Sequence, residues 1–191
     1  QLKQGKYAGR LVIPCDYMSL NPADSPSHAS APIIYSDDHG VTWKLGGIAG
    51  RDHAAESSVA ELSNGQLMLN IRNSSGGARL VANSADGGIT WQEVRVDYSL
   101  VDPVCQGSVL SYNKSLFFSN PSSTKRENMT IKMSTDDGGT WPKSYRVYSG
   151  PAAYSDIVMM SDTHIGIFYE AGYNKPYEGI VFSIIPIAGF K

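Results

Sequence analysis

The stretch Ser36-Asp37-Asp38-His39-Gly40-Val41-Thr42-Trp43 recurs with the same skeleton at Ser84-Ala85-Asp86-Gly87-Gly88-Ile89-Thr90-Trp91 and at Ser134-Thr135-Asp136-Asp137-Gly138-Gly139-Thr140-Trp141. Each copy reads S-x-D-x-G-x-T-W. The closing tryptophans stand roughly fifty residues apart, a period that marks repeated supersecondary units. Within each copy, Gly suits a positive φ and Asp suits bonds to nearby backbone amides, so the box reads as a tight turn. The Trp then starts a strand and covers the core of its own unit.

Outward from the boxes, short β-branched and aromatic runs alternate with Gly, Ser, Asn and Pro, and no stretch holds a useful helical period. Four strands are expected between the second and third boxes, over 107–112, 115–120, 129–134 and 141–148. The preceding unit reads 57–62, 66–72, 79–84 and 91–97. These are blades of a β-propeller, each with strands a to d from the ring centre outward and a box in the c–d turn. The first unit offers 10–14, 32–36 and 43–46 without a strand a, and the last offers 154–160, 164–171 and 179–186. About four blades do not close a ring. The expected architecture is therefore all-β, a six-bladed propeller of which residues 1–191 form the C-terminal part of a single domain.

Composition narrows the function. The 191 residues are 41% hydrophobic with a formal net charge of −2, enough for a substantial core and without the basic stripe that nucleic acid demands. The longest apolar runs, such as 179–186, are strand-sized, so no transmembrane segment is expected. The opening Gln1-Leu2-Lys3-Gln4-Gly5-Lys6-Tyr7 has neither an apolar leader core nor an initiator methionine, which fits a chain that begins mid-protein. Cys15 and Cys105 could be bridged, but read better as buried free thiols. The sequons at Asn73, Asn113 and Asn128 favour a lysosomal or secreted compartment and leave a cytoplasmic or membrane-associated one open. His28, His39, His53 and His164 lack metal-ligand spacing.

Blade topology sorts the unusual polar residues. Tyr154 and Glu61 fall in strand a of the last and second blades. Arg72 and Glu170 end strand b of the same two blades, and Arg126 lies in the b–c loop of the third. All five are expected on the face away from the boxes, near the axis, where charge is costly unless paired or used. Singly, Arg72 and Arg126 read better as surface cations and Tyr154 as packing, and Glu61 reads equally as solvent-facing. Convergence on one cavity is what favours function.

The ordered series Gly9-Arg10-Leu11-Val12-Ile13-Pro14, Val59-Ala60-Glu61, Leu69-Asn70-Ile71-Arg72-Asn73, Cys105-Gln106-Gly107-Ser108, Ala153-Tyr154-Ser155-Asp156 and Tyr169-Glu170, together with the boxes, resembles the exo-α-sialidase family of the Asp-box type along essentially the whole chain. The resemblance implies retaining hydrolysis of terminal sialic acid from glycoproteins, oligosaccharides or gangliosides, with no cofactor. It implies Tyr154 as nucleophile, Glu61 as its general base, Arg72 and Arg126 as two arms of a carboxylate clamp, and Glu170 as the residue orienting a further arginine. That arginine, and the aspartate acting as acid/base, belong to family motifs absent from this sequence; neither Asp16 nor Asp24 matches the latter. The expected partners are a sialylated glycan and the N-terminal part of the same protein, and the isolated chain is expected to be weak or inactive. The Ser/Pro/Ala-rich segment 15–31, with Tyr17, reads as a loop beside the site or as disordered surface. The competing reading is a non-catalytic Asp-box propeller acting as a carbohydrate-binding or receptor module.

Overall fold

The computed structural model describes residues 1–18, 29–51 and 53–191. Asp24, His28 and most of the 15–31 segment lie outside the described residues. The first blade contains β1 (Leu11–Pro14), β2 (Tyr17–Met18), β3 (Ala29–Ser36) and β4 (Lys44–Arg51), with β3 paired to all three others. The second is a four-stranded meander of β5 (Ala54–Glu61), β6 (Leu67–Asn73), β7 (Gly77–Ser84) and β8 (Arg95–Asp102). The third contains β9 (Ser108–Tyr112), β10 (Ser115–Pro121), β11 (Glu127–Ser134) and the first half of β12 (Lys143–Ser161). The second half of β12 leaves the third blade and becomes the inner strand of the fourth, followed by β13 (His164–Ala171) and β14 (Gly179–Pro186). The result is the all-β propeller arc expected from the sequence, with β5, β9 and the second half of β12 packed side by side as inner strands.

The boxes are built alike. In each, the Ser hydroxyl donates to the Asp (Ser36 to Asp38, 2.7 Å; Ser84 to Asp86, 2.8 Å; Ser134 to Asp136, 2.7 Å) and accepts the amide of the box glycine at 2.8–2.9 Å. The Asp in turn accepts the amide and hydroxyl of Thr42, Thr90 or Thr140. These bonds favour the carboxylate form, and the Thr42 hydroxyl and amide with Ser36 hold Asp38 down at about 2. The glycine must be glycine: at Gly138 (φ +81) a Cβ would lie 2.2 Å from Met68 Cε.

The tryptophans differ from the sequence reading. Trp91 and Trp141 precede strand d rather than starting it, and each reaches back to the neighbouring blade. Trp91 Nε1 donates to the carbonyl of Gly47 (3.2 Å) and Trp141 Nε1 to Asp97 (3.3 Å). The reason is where apolar surface is buried. The cores lie between blades: Ala60, Leu62, Met68, Val81 and Leu100 of the second blade close on Val109, Leu116, Phe118 and Trp141 of the third. A matching slab joins the third blade to the fourth through Phe117, Ile131, Ile157, Ile165 and Ile167. A tryptophan ahead of strand d fills the seam between two blades, so the box fixes blade spacing as well as a turn.

Two guanidiniums also cross these seams. Arg10 grips Asp37 with two bonds (2.7 and 3.1 Å), donates to the carbonyl of Gly87 (3.0 Å) and stacks on Tyr7 and Tyr35, tying the first blade to the second box. Arg79, fully buried, donates to Asn70 (2.7 Å) and the Cys105 carbonyl and pairs with Asp102 at 3.4 Å.

The outer faces of the arc stay apolar and exposed. Val158, Met160, Phe168, Ile180, Phe182 and Ile184 line one end, and Ile13, Leu45 and Ile48 are exposed at the other. Cys105 is a buried free thiol, pushed up to about 11 by burial, whereas Cys15, expected buried, is only partly so. Of the sequons, Asn113 is exposed on the β9–β10 turn, while the amides of Asn73 and Asn128 donate to local carbonyls. Among the described residues no helix is long and apolar enough to cross a membrane.

Candidate active site

Five side chains meet where β5, β6, β12 and β13 bring their box-distant ends together. The Tyr154 hydroxyl donates to Glu56 Oε1 at 2.5 Å. Arg72 Nη1 donates to both Glu56 oxygens (2.7 and 3.0 Å) and to the Tyr154 oxygen (3.1 Å). The Arg126 guanidinium stands 5.8 Å from the Tyr154 ring centre. Glu170 Oε2 accepts the Tyr154 backbone amide at 3.1 Å, leaving Oε1 without a partner among the described residues. A concave surface of about 390 Å³ opens beside Tyr154, bounded by Gln106, Glu170, Phe168 and Ile180.

Local backbone irregularity places the central pair. Between Ala54 and Ser57 the strand β5 carries one residue more than its partner, and β12 does the same between Ala152 and Ser155. Glu56 and Tyr154 each ride such a bulge, a device that re-aims a side chain at the rim of a sheet. Arg72 and Glu170 then occupy matching ends of β6 and β13.

The electrostatics assign the resting proton. Burial pushes the Tyr154 phenol up, and the Glu56 carboxylate beside it pushes it further, so the hydroxyl keeps its proton. Burial alone would raise Glu56, but the Tyr154 hydrogen bond and the Arg72 charge outweigh it and hold the carboxyl below its usual range. Arg72 stays cationic, raised by Glu56 against its own desolvation. The arrangement is a neutral phenol poised on an ionised carboxylate under a guanidinium.

The expected base, Glu61, is not there. It ends β5 at the opposite edge of the blade, where its carboxylate accepts the amides of Lys3 (2.8 Å) and Gln4 (3.0 Å). Two residues on, Ser63 bonds Asp137 of the third box, so Glu61 belongs to the box face. Five residues of extended strand separate it from Glu56, about 16 Å. The structure therefore brings Tyr154, Arg72, Arg126 and Glu170 together and leaves Glu61 outside, with Glu56 in its place.

The repeat itself carried a signal for Glu56. It follows Trp43 by thirteen residues, as Val104 follows Trp91 and Tyr154 follows Trp141. The three equivalent positions converge, Val104 contributing its carbonyl, which accepts Arg126 Nη2 at 2.9 Å. Also unanticipated is Tyr177, whose hydroxyl accepts Arg126 Nη1 at 2.5 Å. Tyr17, on β2, is exposed, and Asp16 is a surface residue. Among the described residues no group of His, Cys, Asp and Glu is arranged to hold a metal ion.

A boxed propeller arc with these groups at its inner rim defines a class. Residues 2–167 match the model of the BNR repeat-like domain, and the chain belongs to that family. Sialidases are among its relatives. The sialidase of Micromonospora viridifaciens is 39% identical over 189 residues, covering 93% of this chain and 28% of that protein. That of Bacteroides fragilis is 38% identical over 176 residues, covering 85% and 31%. A Hadza microbial sialidase superposes with a TM-score of 0.83 at 34% identity, over 96% of this chain and 36% of that one. The chain thus spans about a third of the length of these relatives.

Proposed function

We propose that the protein carrying this chain is a retaining exo-α-sialidase in which Tyr154 is the nucleophile, Glu56 its general base, and Arg72 and Arg126 the carboxylate clamp. The observation that carries the reading is the 2.5 Å bond from the Tyr154 hydroxyl to Glu56, with Arg72 3.1 Å from the same oxygen. A sugar-binding module has no use for a phenol already paired with a base.

The chemistry suits the substrate. Sialic acid bears a carboxylate on its anomeric carbon, which guanidiniums bind with fixed geometry. An Asp or Glu nucleophile would meet that carboxylate as a like charge, whereas tyrosine is neutral until it attacks, the known exception among retaining glycosidases. As the Tyr154 oxygen forms its bond to the anomeric carbon, the phenol proton passes to Glu56 and the bond to the aglycone oxygen breaks, that oxygen taking a proton from an acid the reading assigns outside this chain. Arg72 Nη1 stabilises the charge developing on the phenol oxygen. Water, giving up a proton to the same external group now acting as base, then attacks the anomeric carbon, the carbon–phenol bond breaks, and Glu56 returns the proton to Tyr154. Two inversions give net retention.

The four blades are, on this reading, the C-terminal part of one propeller whose remaining blades cover the exposed apolar faces at the ends of the arc. Glu170 Oε1, turned to the same rim, would orient an arginine delivered from those blades. Hydrolysis of a fluorogenic sialoside by the whole protein, and by its Tyr154→Phe variant, tests the assignment. Turnover should fall by several orders of magnitude in the variant while a sialic-acid analogue still binds. Binding without hydrolysis in the unsubstituted protein would move the site to the lectin-like class.

A further inference from the structure

We propose that Tyr177 is part of the anion clamp: it holds the Arg126 guanidinium in place and offers its own phenolic proton to the ligand's carboxylate. The inference rests on the reading of Arg126 as a clamp residue and adds a neutral donor to it. Arg126 has two of its five N–H groups committed, Nη2 to the Val104 carbonyl at 2.9 Å and Nη1 to the Tyr177 oxygen at 2.5 Å. Its carbon stands 5.7 Å from the Tyr177 ring centre and 5.8 Å from that of Tyr154, so the cation has an aromatic partner on both rings. A long flexible side chain is thereby fixed before any ligand arrives.

The segment bearing Tyr177 is itself braced. The Glu178 carboxylate accepts the amides of Tyr173, Asn174 and Lys175 at 2.8–3.2 Å, and the Tyr148 hydroxyl donates to the Gly172 carbonyl at 2.8 Å. Bracing lowers the ordering cost of binding, which is what preorganisation contributes. The Tyr177 oxygen accepts from Arg126, so its own proton is free to donate, and it finds no acceptor among the described residues. With Tyr177 58% exposed, a phenol donor adjoins a guanidinium at an open rim. An oxyanion is the ligand chemistry that satisfies both.

The test compares the whole protein with its Tyr177→Phe variant, which keeps the ring and removes the hydroxyl. KM for a fluorogenic sialoside should rise about threefold to tenfold, the usual worth of one hydrogen bond, with kcat changed less than twofold. Calorimetric affinity for an unsaturated sialic-acid analogue should fall by the same factor, while affinity for its methyl ester, whose carbonyl is a weaker acceptor than a carboxylate, should fall less. In an Arg126→Met background the loss should be smaller but should persist, because the direct bond from the phenol to the carboxylate remains to be removed. Equal losses for acid and ester, a loss confined to kcat, or an unchanged KM would overturn the assignment of Tyr177 while leaving Tyr154 and Glu56 intact. Failure of the unsubstituted protein to bind the acid would overturn both.

Discussion

Replacing Glu56 by Gln separates the structural account of the site from the sequence-based one. Glu56 Oε1 takes the Tyr154 proton donor at 2.5 Å, and its two oxygens take Arg72 at 2.7 and 3.0 Å. Gln keeps the volume and can still accept a hydrogen bond from the phenol, but an amide has no capacity to remove its proton. General-base removal costs about 10²–10⁴ in rate, equivalent to roughly 3–5 kcal/mol of barrier at 1.36 kcal/mol per decade. The assay is steady-state hydrolysis of a fluorogenic sialoside, with the parallel variant Glu61→Gln. Glu61→Gln should leave kcat within about twofold, because its carboxylate serves backbone amides on the far face. The acid limb of kcat in the unsubstituted protein should lie below the ordinary Glu value, since Glu56 is depressed and remains a base as pH falls to its folded pKa. A loss below about a hundredfold in Glu56→Gln, or an equal loss in Glu61→Gln, would overturn the placement of the base.

Other consequences concern the scaffold. Ser84→Ala leaves the buried amide of Gly88 unpaired and should cost about 1–2 kcal/mol, seen as a Tm lower by roughly 2–8 °C for a domain of this size; an unchanged melt would mean the box hydroxyls are dispensable. Arg79→Ala strands Asp102 in a fully buried site and should remove about 3–5 kcal/mol, seen as a Tm lower by roughly 6–20 °C; an unchanged Tm would show that the pair is neutral to folding. Asp38, Asp86 and Asp136 all have folded pKa values depressed by their Ser and Thr partners. Their contribution is therefore present above the unfolded value of about 4 and is lost as pH falls below it towards each folded value, which for Asp38 is about 2. Tm measured against pH should hold from 7 to 5 and drop across that window; a flat profile down to pH 2 would contradict it.

What the sequence made legible follows from the range of the interactions involved. The box is a closed local circuit of Ser, Asp, Gly and Thr, so its conformation could be read from eight residues. The strands β13 and β14 matched their expected limits because alternation and turn residues bound them on both sides. The destination of Trp91 and Trp141 was not local: blade seams, which bury most of the apolar surface, decide it. Glu56 was hidden for a related reason. Val59-Ala60-Glu61 has a clean strand alternation, while Ala54-Ala55-Glu56 begins the strand with a bulge that breaks the period and turns the carboxylate inward. Only the thirteen-residue offset from the box tryptophan, shared with Tyr154, announced it. Tyr177 sits in a loop without periodicity, and Arg79 lies in a strand whose charge only the buried Asp102 explains.

The central claim is a covalent one: Tyr154 attacks the anomeric carbon while Glu56 takes its proton. Reaction of the whole protein with a 2,3-difluorinated sialic acid, followed by proteolysis and peptide mass mapping, reads that bond directly. The account predicts a glycosyl adduct on Tyr154, absent in Tyr154→Phe. An adduct on Glu56 or any other carboxylate, or turnover without a trappable adduct, would contradict it.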